Sequence, residues 1–169
     1  MTPPGVDVRE ATVVDAALLA ALHAASFETP GATHQTRAWS EEVMAQFIAG
    51  PSTLCLLATL SGENTAPAGL LIARAAGDEA DLITIGVDPE MRLRGVGRAL
   101  LQHAVSALKA IGVRLLFLEV DEENQPALAL YRKLGAEAVG TRPGYYENGR
   151  NAFLLRLDLQ PCPLGSATR

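Results

Sequence analysis

The chain has 169 residues, enough for one domain with a sizeable hydrophobic core. Its net charge of −5 argues against bulk binding of nucleic acid or of an anionic membrane surface, whereas an acidic surface would tolerate a basic peptide as partner. The two cysteines have no metal-like or redox spacing and give no sign of a disulfide framework, so a cytoplasmic location is the default expectation.

The N-terminal half is predicted to contain one strand, two helices and an antiparallel meander. Val6–Glu10 is typical of a short strand, and a helix capped by Thr12 follows it as far as Phe27. A loop over 28–38 leads to a second helix, which starts at Ser40. Two hairpin connections in a row then predict an antiparallel meander. Its three strands are 52–60, 68–76 and 80–87.

Beyond the meander, helices alternate with strands. Apolar residues at helical spacing predict a helix that Gly112 ends. The apolar face of this helix consists of Leu100, Leu101, Ala104, Val105, Leu108 and Ile111.

The rest of the chain is predicted to form a strand, a helix and a hairpin. The nearly continuous apolar run 114–120 is typical of a strand buried on both faces. Asn124 starts the next helix, and a short strand near 136–140, a loop over 141–150 and a strand over 152–159 follow.

This order predicts an α/β fold with a mixed sheet. The N-terminal meander is antiparallel, a central β-α-β step is parallel, and a hairpin closes the sheet. Residues 1–160 are expected to form a single domain, and the Pro/Gly/Ser-rich segment 161–169 is expected to be a flexible tail.

The segment DPEMRLRGVGR, between the last meander strand and the next helix, has the composition of an anion site. Backbone N–H groups at a helix start are unpaired and carry partial positive charge. Gly95 and Gly97 let the backbone approach an anion, and Arg92, Arg94 and Arg98 add charge-assisted hydrogen bonds. We expect a diphosphate site here, and the alternative is a solvated helix start whose arginines face water.

Two common nucleotide motifs fit this segment poorly. A Walker A loop ends in Gly-Lys-Ser/Thr, which is absent here. The dinucleotide fingerprint is a closer rival, because Glu119 follows about 20 residues later as that motif requires. However, Leu100 occupies the position of its third glycine, and the preceding strands form a meander. A dinucleotide-binding module therefore remains an alternative.

The pattern Arg92-x-x-Gly95-x-Gly97 resembles the signature of the GCN5-related N-acetyltransferases, the GNAT family, which bind acetyl-coenzyme A. The segments ITIGVDPEMRLRGVGRALL, LFLEVDEENQPALALYRKLGA and GTRPGYY resemble the bacterial ribosomal-protein-alanine N-acetyltransferases of that family. The resemblance covers roughly residues 82–159 strongly. It implies the GNAT fold, acetyl-coenzyme A as cosubstrate and no metal.

The resemblance also implies roles for individual residues. Glu119 would be the general base and Tyr131 the general acid. Trp39, Tyr145 and Tyr146 would lie beside the acceptor. A strand segment pairing with the pantetheine arm, the glycine loop holding the pyrophosphate and one asparagine would bind the cofactor. These cofactor-binding residues are Ile85, Gly86, Val87, Arg92, Leu93, Arg94, Gly95, Val96, Gly97, Arg98 and Asn124.

The chemistry of acetyl transfer agrees with two of these roles. A carboxylate inside an apolar run is unusual, and it can collect the proton of an amine; its alternative is a solvated strand end. The Tyr131 hydroxyl can protonate a leaving thiolate, and its alternative is a core tyrosine with a wet hydroxyl.

The acceptor is expected to be a primary amine, with a protein N-terminus favoured. A free α-amine has a pKa of about 7.7–8.0, against about 10.4 for lysine, so more of it is neutral at physiological pH. No nucleic acid or membrane is expected as a partner. A small-molecule amine acetyltransferase on the same fold remains an alternative.

Overall fold

The computed structural model describes residues 5–27, 38–61 and 65–160. A seven-stranded mixed sheet is flanked by four helices, as the sequence predicts. The helices are α1 (Ala16–Phe27), α2 (Glu41–Ala49), α3 (Val96–Ala110) and α4 (Gln125–Lys133). The strands are β1 (Val6–Glu10), β2 (Thr53–Leu60), β3 (Ala66–Ala76), β4 (Glu79–Val87), β5 (Leu115–Asp121), β6 (Glu137–Arg142) and β7 (Ala152–Asp158).

The strand order is β1-β2-β3-β4-β5-β7-β6. Strands β2 to β4 form the predicted antiparallel meander, and β1 pairs with β2, also antiparallel. β4 pairs with β5 in parallel across the α3 crossover. β7 returns between β5 and β6 and is antiparallel to both. The predicted α/β class and topology are therefore confirmed. The expected tail over 161–169 and most of the expected loop over 28–38 lie outside the described residues.

Several boundaries differ from expectation by one or two residues, and two of the differences have a clear structural cause. α3 ends at Ala110, Ile111 caps it, and Gly112 follows with a φ of 90°. That left-handed conformation suits glycine, so Gly112 stops the helix from the position after the cap. Arg142, expected in a loop, is the last residue of β6, because the hairpin pairing with Ala152 extends that far.

The helices cover the two faces of the sheet unequally. α3 and α4 pack on one face, where Leu100, Leu116 and Leu155 belong to the larger core. On the other face α1 and α2 pack against β2, β3 and β4, and Leu19 and Met44 are fully buried there.

β5 is therefore not buried on both faces, and the sequence expectation is wrong. Leu116, Leu118 and Val120 are buried beneath α3 and α4, but Phe117 and Glu119 on the opposite face are only half-buried. The apolar run conceals this difference because both faces carry large apolar side chains. The half-buried face is available to line a binding site.

The parallel step opens into a gap. β4 and β5 pair only from Glu79 to Asp81, opposite Leu115 to Phe117, and then separate. β4 also contains a bulge, because Thr84 pairs with Ile72 and Leu82 with Ala73, which leaves Ile83 without a partner on β3. Bulges increase the local twist and bend a strand. The carboxyl halves of β4 and β5 consequently diverge.

Asp15 fastens the start of α1 to β1, and we expect its removal to destabilise the fold. Its carboxylate accepts two hydrogen bonds of 2.8 Å from the Arg9 guanidinium and one of 2.8 Å from the Thr12 amide. The Arg9 bonds and then the Thr12 bond hold the pKa of this carboxyl well below its usual range. Asp15→Asn should cost about 1–2 kcal/mol of unfolding free energy at neutral pH, as loss of a helix cap does.

The pH dependence of that cost follows from the lowered pKa. A carboxyl with a depressed folded-state pKa stabilises the fold above its unfolded pKa of about 3.9, and this contribution fades as the pH falls below that value. We therefore expect the difference in unfolding free energy between wild type and Asp15→Asn, measured by urea unfolding, to be smaller at about pH 2.5 than at about pH 7. A gap that stays constant would show that the charge of Asp15 contributes nothing.

Candidate active site

An open cleft of about 450 Å³ crosses the half-buried face of the sheet where β4 and β5 part. Its volume is in the usual range of small-ligand sites. Another hollow, at the start of α2, is lined by four residues of that segment alone and shares none with the cleft. The cleft is lined by Asp81, Leu82, Ile83, Phe117, Glu119, Arg142, Tyr145 and Leu154.

Glu119 lies in this cleft in contact with two polar side chains. Arg142 Nε is 2.8 Å from Glu119 Oε1, and the exposed fraction of the glutamate side chain is 26%. The Tyr145 hydroxyl donates a hydrogen bond to the same carboxylate, and that bond, with burial, raises the pKa of Tyr145. The Arg142 guanidinium carbon also lies 5.7 Å from the centre of the Tyr145 ring. The carboxylate is thus held in place and still reachable from the cleft.

Tyr131 is on α4, with 4% of its surface exposed. Burial raises the pKa of its hydroxyl strongly, and the nearby Tyr146 raises it further. The phenol therefore keeps its proton at physiological pH and can act as a donor. Burial likewise raises the pKa of Tyr146 to about 12, with smaller effects from Asp121, Tyr145 and Glu119.

The β6–β7 loop, which carries the tyrosine pair, is fastened to the end of β5. Arg150 Nη1 lies 2.7 Å from Glu123 Oε2 and 3.5 Å from Oδ2 of the fully buried Asp121. Asn151 donates two hydrogen bonds of 3.1 Å to the Glu122 carboxylate, one from its backbone and one from its side chain. The two tyrosine rings meet edge to face, 5.0 Å apart. The cleft wall formed by this loop is therefore tied to the strand that carries the carboxylate.

The predicted anion loop ends at the start of α3. Gly95 has a φ of 80°, which a residue with a side chain adopts at a cost. Leu93, Arg94 and Arg98 are exposed. Arg92 is exposed as well, and it donates from its guanidinium to the backbone oxygens of Val87 and Ser26, 3.4 and 3.3 Å away. Arg92 thus fastens the loop to β4 and α1.

Two glycines near the gap are in close contact with their neighbours. A Cβ on Gly97 would lie 3.4 Å from Leu130 on α4 and 3.7 Å from Val87, so this glycine faces the space between β4 and α4. A Cβ on Gly86 would lie 2.7 Å from Ser26 Oγ, so packing of α1 alone requires glycine there. Ile85, Gly86 and Val87 occupy the part of β4 that lies beyond its pairing with β5.

Two sequence-predicted residues have local structural roles. The Asn124 amide oxygen accepts a bond of 3.2 Å from Ala127 N and caps α4, beside the divergent end of β5. Trp39 stacks on His23 at 4.6 Å and tilts against Phe47 at 5.1 Å. It belongs to the α1–α2 packing and not to the lining of the cleft, so its expected contact with the acceptor has no support from its position.

Sequence reasoning missed several residues of the cleft. Phe117, Leu154 and Asp81 line it, and Arg142 pairs with the carboxylate. An alternation of apolar and polar residues along β5 would have indicated that Phe117 lies on the less buried face. The sequence shows no such alternation, because apolar residues occupy both faces. Arg142 lay within the quoted GTRPGYY segment, without a role assigned to it.

The described residues contain no cluster of three or more His, Cys, Asp or Glu side chains that could hold a metal ion. No helix in the described part of the chain has the length and apolar character needed to cross a membrane.

Comparisons with known proteins agree with this geometry. A family model described as "Acetyltransferase (GNAT) family" matches residues 18–136. The chain is 40% identical over 108 residues to ribosomal protein bS18-alanine N-acetyltransferase of Escherichia coli, covering 64% of this chain and 70% of the relative. It is 35% identical over 122 residues to N-alpha-acetyltransferase RimI of Mycobacterium tuberculosis, covering 71% and 75%.

Solved structures show the same fold. The crystal structure of the ribosomal-protein-alanine N-acetyltransferase from Escherichia coli matches with a TM-score of 0.78 and 29% identity, over 97% of this chain and 99% of that one. A Salmonella typhimurium acetyltransferase with its cofactor acetyl-CoA matches with a TM-score of 0.76 over 96% of this chain and 99% of that one, and its 17% identity supports the fold alone. The dinucleotide alternative is not favoured. Because the family match spans the glycine loop and Glu119, the chain belongs to the GNAT family and is an N-acetyltransferase that uses acetyl-coenzyme A.

Proposed function

We propose that the enzyme acetylates the N-terminal α-amine of a protein, as its relatives of the ribosomal-protein-alanine type are named for doing. One observation supports this most directly. Glu119 lies within a cleft that runs across the sheet from β4 to β6, where an extended chain end can enter beside the gap between β4 and β5. In this proposal residues 1–160 act as one domain, and a ribosomal acceptor would place the enzyme in the cytoplasm.

In this proposal acetyl-coenzyme A binds in the gap between β4 and β5. Acetyl-coenzyme A supplies an acetyl group activated as a thioester. The backbone of 85–87 would pair with the pantetheine arm, and the amides of 93–98, with Arg94 and Arg98, would hold the pyrophosphate. Arg92 would act by fastening this loop, since its guanidinium contacts two backbone oxygens of the chain. Asn124 would contribute from the start of α4.

The roles of the two titratable groups follow from their surroundings. Glu119, partly exposed in the cleft, accepts the proton that the amine nitrogen releases as the new C–N bond forms. Tyr131, buried and protonated, donates its proton to the sulfur as the C–S bond breaks. A backbone N–H near the β4 bulge would meet the thioester oxygen. The products are the acetylated amine and free coenzyme A; Glu119 holds the proton from the amine, and the sulfur holds the proton from Tyr131.

The open cleft also bears on the acceptor. Tyr145 and Arg142 line one side of the cleft, and Ile83 and Phe117 line the other. Their rings and alkyl groups can pack against the backbone and the first side chains of a peptide. An α-amine with a pKa of about 7.7–8.0 needs only an ordinary carboxylate as base.

Turnover with two acceptor sets tests the proposal. One set contains peptides that begin with alanine and carry a free α-amine, and the other contains polyamines and aminoglycosides. We expect kcat/KM to be higher for the peptides, by at least about tenfold, or about 1.4 kcal/mol in transition-state binding. Faster acetylation of a small amine would instead support the alternative acceptor class.

Gly97→Val tests the proposed cofactor site. The added side chain would point into the space between Val87 and Leu130, which the proposal assigns to the cofactor. We expect the affinity for coenzyme A, measured by calorimetry, to fall at least about tenfold. Gly140→Val, on β6, is the matched control, because a Cβ there comes no closer than 3.8 Å to its nearest neighbour, Leu154 of β7. Unchanged affinity in a folded Gly97→Val protein would overturn the assignment.

A further inference from the structure

Asp81 is a carboxylate of the cleft to which the proposed reaction gives no role. It is exposed and lies at the last paired position of β4, opposite Phe117 of β5. Its neighbour Ala80 is buried in the core beneath α3. Since side chains alternate along a strand, Asp81 points to the other face, where Phe117 and Glu119 line the cleft.

Asp81 has no ion-pair partner among the residues that line the cleft. The charged residues of its lining are Asp81, Glu119 and Arg142. Arg142 contacts Glu119 at 2.8 Å, so its charge is matched. Within the described residues no salt bridge is formed by Asp81. Arg74 of β3 lies opposite Asp81 in the sheet register, but its guanidinium lies over the Phe47 ring, 5.5 Å from the ring centre. An acceptor in the cleft therefore meets, at its β4 end, a carboxylate without a salt-bridge partner among the described residues, in a protein whose net charge is −5.

The register gives the separation of the two carboxylates. Glu119 is two residues beyond Phe117, the partner of Asp81. Strands spaced about 4.8 Å apart with a rise of about 3.3 Å per residue place the Cα atoms of Asp81 and Glu119 about 8 Å apart. An extended peptide advances about 3.3–3.6 Å per residue. An acceptor whose amine lies at Glu119 thus brings its second or third side chain to Asp81.

We propose that Asp81 is a specificity-determining residue that selects acceptors with a lysine or arginine at the second or third position. This inference rests on the proposed function, because it requires a peptide acceptor with its amine at Glu119. The contact is a partly exposed ion pair, so its effect is modest. Pairs of this kind correspond to about a two- to fivefold preference.

A peptide panel with charge-swap variants tests the proposal. The peptides begin with alanine and carry lysine, glutamine or glutamate at position two or at position three. Wild type should show a kcat/KM about two- to fivefold higher for lysine than for glutamine at one of these positions, and lower still for glutamate. Asp81→Asn should lose this preference, and Asp81→Lys should invert it toward glutamate. The wild-type preference should also weaken as salt is added.

Glu79→Gln is the matched control, because Glu79 is an exposed carboxylate two residues earlier on β4 and does not line the cleft. It should keep the wild-type preference. Equal kcat/KM for the three peptides, a preference for glutamate, or a lysine preference that survives in Asp81→Asn would overturn the role of Asp81 while leaving the peptide acceptor intact. If no peptide is acetylated and a polyamine is, the proposed function fails, and this inference with it.

Discussion

Glu119→Gln should lower kcat by about 10²–10⁴-fold near neutral pH, the usual contribution of a general base. The amide keeps the shape of the side chain but cannot take a proton from the acceptor amine. Binding of acetyl-coenzyme A should change little, since the cleft lies beside the proposed cofactor gap. Raising the pH above the α-amine pKa of about 7.7–8.0 should recover part of the rate, because more amine then arrives already neutral.

The ion pair of Glu119 requires its own control. Glu119→Gln also breaks the 2.8 Å contact with Arg142, so a loss of rate could come from a displaced arginine. Arg142→Gln breaks the same contact and keeps the carboxylate. We expect it to retain most of the turnover and the pH dependence of wild type. Near-wild-type turnover of Glu119→Gln at all pH values would reduce Glu119 to a structural partner of Arg142.

Tyr131→Phe should lower kcat by about 10²-fold, with little change in the KM for acetyl-coenzyme A. The ring remains, so packing around this buried position should be nearly unchanged. A thiol with a pKa of about 8.5 is a fair leaving group, so the expected loss lies at the low end of general-acid effects. Protonation matters here because the hydroxyl is buried and the thiolate would be expelled away from water.

A second thioester separates the acid role from a positioning role. The loss caused by Tyr131→Phe should shrink with a thioester whose thiol is more acidic, because that thiolate needs less protonation. Tyr146→Phe is the matched control: it removes a neighbouring hydroxyl whose pKa is also raised by burial, and it should alter acceptor KM without this dependence on the thiol. Equal losses with both thioesters would assign Tyr131 to cofactor positioning.

The topology and the order of elements followed directly from sequence pattern. Phe153, Leu155, Leu157 and Leu159 alternate with other residues, which is typical of a strand, and Gly112, whose φ is positive in the structure, follows the end of α3. The gap between β4 and β5 did not follow, because it arises where pairing stops at Asp81. Pairing between distant strands is a tertiary property that no local pattern encodes.

The cleft was harder to foresee than the cofactor loop. The cofactor loop could be predicted because its glycines and arginines lie close together in the chain. The cleft is lined by residues from four strands, among them Asp81, Phe117, Arg142 and Leu154. In the sequence, none of these residues differs from an ordinary strand or loop residue. Trp39, which the resemblance places beside the acceptor, stacks on His23, and no local pattern in the sequence reveals that contact. Side-chain partners, unlike periodicity, require the assembled sheet.

The site of acetylation on a single peptide tests the central claim most directly. A peptide that begins with alanine and carries one lysine near its carboxyl end offers both an α-amine and a side-chain amine to the enzyme with acetyl-coenzyme A. Tandem mass spectrometry of the product locates the acetyl group. The proposed function predicts acetylation of the α-amine alone, and blocking that amine should abolish turnover. Acetyl groups found on the lysine, at a rate that survives blocking of the α-amine, would contradict it.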